Sequence, residues 1–151
     1  MAGGNNSSNM DQIAAELARA AAEAARQARI LVLNQQITRK NQELTIVSQQ
    51  IASLSSEQGN LGNYLSDWNT QKAAFRANET VSEVVIVNVF EGRCADAIKE
   101  ELTACVEEMD KTYSSVTTLQ GNVGMQINKL QLRVNTINEE LRNLRLELSC
   151  L

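Results

Sequence analysis

The chain has 151 residues, a formal net charge of -4, no proline, no histidine and 3% aromatic residues. Lack of histidine excludes Ser-His-Asp and Cys-His nucleophile systems and histidine-ligated metals, and an excess of 18 acidic over 14 basic side chains gives no footprint for nucleic acid. A hydrophobic share of 43% can bury one core in one domain, but scarce aromatics and absent proline predict a thin, elongated protein of long helices.

Residues 1–9 read as a flexible lead. Ser8, with Asp11 three residues on, spaces like a capping box, so the first helix is expected over residues 10–77. Its opening stretch, 12–29, is alanine-rich, and Glu16–Arg19 and Glu23–Arg26 can pair along the helix. Its small side chains, Ala21, Ala24, Ala25 and Ala28 among them, either permit close approach by another helix or leave an extension that partly frays. From Ile30 the pattern sharpens: Leu33, Ile37, Leu44, Val47, Ile51, Leu54, Leu61, Leu65, Trp68 and Phe75 follow in alternating steps of three and four. Only Lys40, Gln58 and Lys72 put polar groups in this row. They either fix register or partner, or snorkel from a loose edge.

Residues 78–91 are the connection. Thr80 with Glu83 argues for a short helix from Val81, whereas Val84, Val85, Ile86, Val87 and Val89 argue for a strand. A lone strand has no evident partner, which favours helix; either way so apolar a run must be buried, in the bend or against another protein.

The second helix is expected over 92–151. Ile98, Leu102, Cys105, Met109, Thr112, Val116, Leu119 and Val123 form one periodic run. Ile127, Leu130, Val134, Ile137, Leu141, Leu144, Leu148 and Leu151 form another. Two consecutive steps of four at the join read as a stutter. Gly121 and Gly124 sit in it. In an antiparallel hairpin, Gly59 with Gly124 and Gly62 with Gly121 share a constant sum of residue numbers, 183, placing both pairs level about a bend near residue 91 and Ile30 opposite Leu151. Acid early and base late in this helix complement its dipole.

Cys94, Cys105 and Cys150 lack metal or redox spacing and read as small core-facing thiols. Adjacent carboxylates such as Glu100–Glu101 do not face one pocket, and no calcium-loop spacing occurs. No catalytic residue, cofactor or metal is therefore expected. Nor is there a signal-peptide pattern or an apolar run long enough to span a membrane. Together these features predict an all-α antiparallel helical hairpin, coiled-coil-like, in a single domain over residues 10–151.

Phe90-Glu91-Gly92, followed by Ala95 and Ile98, resembles the Trp-x-Gly turn of the small helical-hairpin proteins of type VII secretion. The pattern extends over residues 30–151, and the long first helix looks most like the partner proteins encoded beside LXG-domain toxins. The resemblance implies that Phe90 and Gly92 form the turn. It further implies a non-enzymatic targeting chaperone that binds the toxin's helical N-terminal domain, with a second small helical protein or another copy as further partners. Contact surfaces would be Val84, Val85, Ile86, Val89 and Phe90, together with Ala21, Ala24, Ala25 and Ala28. Phenylalanine stands where that family has tryptophan, and no Tyr-x-x-x-Asp/Glu export signal follows the second helix. The signal would then come from the partner. A cytoplasmic location is expected, with co-export through type VII secretion as the extension of that reading. The alternative is a self-assembling structural coiled coil of a phage or cell-envelope assembly.

Overall fold

The computed structural model describes residues 5–81 and 92–151, with side chains described for 9–79, 81 and 92–151. It is all-α, an antiparallel helical hairpin: α1 (Asn5–Ala77), a single turn α2 (Glu79–Val81) and α3 (Arg93–Ser149). Among the described residues there is no strand. The helix passes straight through Ser8, so the expected capping box does not start it; α1 already begins at Asn5. Its other end falls at Ala77 as expected, closed by Asn78 donating its N–H to the Phe75 carbonyl at 3.2 Å. Interior threonines are accommodated because Thr38, Thr45, Thr70, Thr117, Thr118 and Thr136 donate their hydroxyls to the carbonyl four residues back.

The chain divides into two compact units. Unit 1 comprises residues 1–48 and 132–151. Its core is Leu33 and Val47 from α1 against Ile137 and Leu141 from α3, with Ile30, Ile37, Leu44, Val134, Leu144 and Leu148 half-buried around them. Leu33 and Ile137 are fully shielded from solvent. Arg29 pairs with Glu147, and Glu43 with Arg133; both pairs of residue numbers add to 176, as antiparallel packing requires.

Unit 2 comprises residues 49–131. Leu65, Val81 and Ile127 are buried, with Ile51, Leu54, Leu61, Trp68, Phe75, Leu102, Val106, Met109, Val116 and Val123 half-buried. Each such aliphatic side chain taken fully from water contributes about 1.5–3 kcal/mol. The Trp68 indole N–H donates to the Met109 carbonyl at 3.2 Å, giving this large ring's polar edge a partner.

On α1 the buried row is the one expected, and Lys40, Gln58 and Lys72 occupy it half-buried. On α3 the first half differs. Ile98, Cys105, Thr112 and Leu119 are exposed, whereas Lys99, Val106, Tyr113 and Gln120, each one residue later, lie in the half-buried row. With these positions the row runs from Ala95 to Leu148 in unbroken alternation of four and three, so there is no stutter. The shift also moves Cys105 out of the core. Cys94 and Cys150 are exposed as well, so none of the thiols faces the core as expected.

Candidate functional site

Gly92 sits at the entry to α3 with φ at +114°, a backbone conformation that an L side chain rarely adopts. Its carbonyl accepts the N–H of Asp96 at 3.0 Å, which starts the first turn of α3. Glycine thus stands where this backbone conformation needs it. Phe90, expected to share the turn, and Val84, Val85, Ile86 and Val89, expected as contact surface, lie outside the described residues. The question of helix or strand for 82–91 lies there too.

Ala21, Ala24, Ala25 and Ala28 are all exposed and share one side of α1. They are brought together, and nothing in unit 1 covers them. The sequence reading missed their larger neighbours on the same side: Met10, Ile13, Leu17 and Leu31, each more than half exposed. The signal was available, since these residues recur at helical spacing through the alanine-rich stretch.

In unit 2, Gln58 and Gln120 form a reciprocal crossing. A Cβ on Gly124 would meet the Gln58 amide nitrogen at 2.8 Å, and one on Gly62 would meet that of Gln120 at 3.2 Å. Gln120 donates to the Gln58 carbonyl at 3.5 Å. Each glutamine lies over the opposite helix's glycine, and both pairs of numbers add to 182, one away from the expected constant. Gly59 and Gly121, expected in the same level, face open space instead. A second polar cluster surrounds Lys72, which is half-buried, pairs with Asp110 at 2.7 Å and stands 5.1 Å from the centre of the Tyr113 ring. Arg76 reaches the other Asp110 oxygen at 3.1 Å. The Lys72 ammonium, hydrogen-bonded to Asp110, holds that carboxyl below its ordinary value.

Unit 1 has its own network. Lys40 lies 2.6 Å from Glu140 and 3.0 Å from Glu43, and Glu43 in turn accepts from Arg133. The hydrogen bonds that Lys40 donates, first to Glu140 and then to Glu43, raise its pKa; those that Glu43 accepts, first from Arg133 and then from Lys40, lower its own. Beside this network runs an open groove edged by Gln36, Arg39, Asn143 and Leu144, in which Lys40 and Glu140 pair with each other and Glu147 with Arg29. These clusters are ion pairs between helices, suited to fixing register rather than to proton transfer. Among the described residues no group of His, Cys, Asp or Glu could hold a metal, and no helix is long and apolar enough to cross a membrane. No known protein family, curated protein or solved structure matches this chain.

Proposed function

We propose that the chain is a non-enzymatic helical binding partner, a targeting chaperone for an LXG-type toxin of type VII secretion. The observation that carries this reading is the uncovered apolar side of α1 between Met10 and Leu31, more than half exposed at its large residues. Soluble chains rarely leave such a stripe open unless another protein packs on it. The left-handed backbone at Gly92 supports the turn that the family resemblance requires. Binding would proceed by side-by-side helix packing, with polar seam positions discriminating between partners. The chain would act in the cytoplasm and would leave the cell, if it does, together with its toxin.

The test is co-expression with the helical N-terminal domain of an LXG toxin encoded beside it, followed by light scattering. A stable complex whose formation is impaired by Phe90→Ala is the expected result. A homo-oligomer that ignores the toxin domain would overturn the proposal in favour of a self-assembling coiled coil.

A further inference from the structure

Residues 9–29 of α1 are exposed along their whole length. On a helix turning about 100° per residue, Met10, Ile13, Leu17, Ala24, Ala28 and Leu31 fall within about 40° of Leu17. Exposure at the four large ones runs from 52% for Ile13 to 71% for Met10. This stripe does not continue the intramolecular seam. Stepping back from Ile30 by the seam's own spacing lands on Arg26, Glu23, Arg19 and Glu16, which nothing apolar could follow. The apolar side of α1 therefore rotates ahead of Ile30, and a helix packing there approaches from a different direction than α3 does.

The borders of the stripe select the occupant. Glu16 and Glu23 line one edge, about 100–120° from Leu17, and Asp11 stands on the other. Arg19 and Arg26 lie on the far side of the helix, about 160–180° away. Arg29 is engaged by Glu147, whereas Glu23 accepts a hydrogen bond from the neutral Gln27 amide at 2.8 Å and is approached by a cation only at 3.7 Å, from Arg26, so its charge is little offset. The rim is thus acidic. A second copy packing antiparallel on this face would set Glu16 and Glu23 against the same two residues, like charge against like; packed parallel, it would offer them only alanines.

We propose that this face binds an amphipathic helix of another protein whose apolar stripe is flanked by Lys or Arg facing Glu16 and Glu23. The proposal rests on the helical-partner reading for the partner being a foreign helix, but its probe is independent of any toxin, so the two can fail separately.

The probes are two labelled helical peptides of about 21 residues, long enough to span Met10 to Leu31 at about 1.5 Å per residue. They share one Leu/Ala stripe and differ only in having Lys or Glu along its flank. Fluorescence anisotropy with the full chain at low salt should show the Lys peptide binding at least about tenfold tighter. Combined Glu16→Lys and Glu23→Lys should reverse the preference. Combined Glu100→Lys and Glu101→Lys, which changes net charge equally on α3, should leave it intact. Leu17→Glu should abolish binding of both peptides at unchanged helix content by circular dichroism. Equal binding of the two peptides, or a preference unmoved by reversal at Glu16 and Glu23, would overturn the proposal. So would a homodimer by light scattering that Leu17→Glu dissolves, since the occupant would then be a second copy.

Discussion

Four helical glycines show how one residue type takes opposite roles a turn apart. Gly59 and Gly121 have open space where a Cβ would stand, so each costs α1 or α3 its conformational entropy without admitting a neighbour. Gly59→Ala and Gly121→Ala are each expected to stabilise the protein by about 1 kcal/mol, read as a higher urea midpoint by circular dichroism. At Gly124 the same change must push the Gln58 amide aside, and at Gly62 it crowds Gln120. Gly124→Ala should therefore gain clearly less than Gly59→Ala, and in a Gln58→Ala background that difference should disappear. Gly92→Ala is expected to lose about 1 kcal/mol or more, because alanine must hold a φ of +114° that glycine adopts freely. The sequence already pointed to all five positions; which glycines are approached and which are open depends on where Gln58 and Gln120 lie.

At the scale of the element, the two helices were unequally readable. On α1, apolar residues and buried row coincide from Ile30 to Phe75, because polar exceptions are few and isolated. On the first half of α3 the row needs Lys99, Tyr113 and Gln120, while the neighbouring Ile98, Thr112 and Leu119 offered a plausible decoy. Local hydrophobicity chose the decoy. The helix cannot, since a row spaced in fours and threes through Val123, Ile127 and Leu130 continues upstream in phase whichever side chains it meets. This is measurable. Leu33→Ala and Ile137→Ala, at fully shielded positions, should each cost about 2–5 kcal/mol by urea denaturation. Ile98→Ala and Leu119→Ala, about half exposed, should stay within about 0.5 kcal/mol of wild type. Equal losses at all four would restore the stuttered register.

For the whole molecule, the pH dependence of stability follows from the paired charges. Glu43 and Asp110 titrate below their ordinary values of 4.5 and 3.8 because Arg133 and Lys72, respectively, hold their carboxylates. Their contribution is complete above those ordinary values and disappears as pH falls through the lowered ones. Lys40 titrates above its ordinary 10.5, so its contribution is complete below that value and disappears as pH climbs through the raised one. Thermal unfolding should show a plateau from neutral to mildly alkaline pH and a decline below about pH 4, the decline reduced in a Glu43→Gln, Asp110→Asn double variant. A midpoint that fell steadily from pH 8 to 5 would contradict this. By itself the sequence determined that the chain is helical, that α1 ends at Ala77, and which side of α1 from Ile30 to Phe75 meets its partner helix. Those features rest on propensity, backbone conformation and spacing, which are local. Only the tertiary structure decided the phase of α3's first half, the exposure of all three cysteines, and the crossing of Gln58 and Gln120 over each other's glycines. Each is a statement about what faces what across two helices, and a residue's own side chain does not say what stands opposite it.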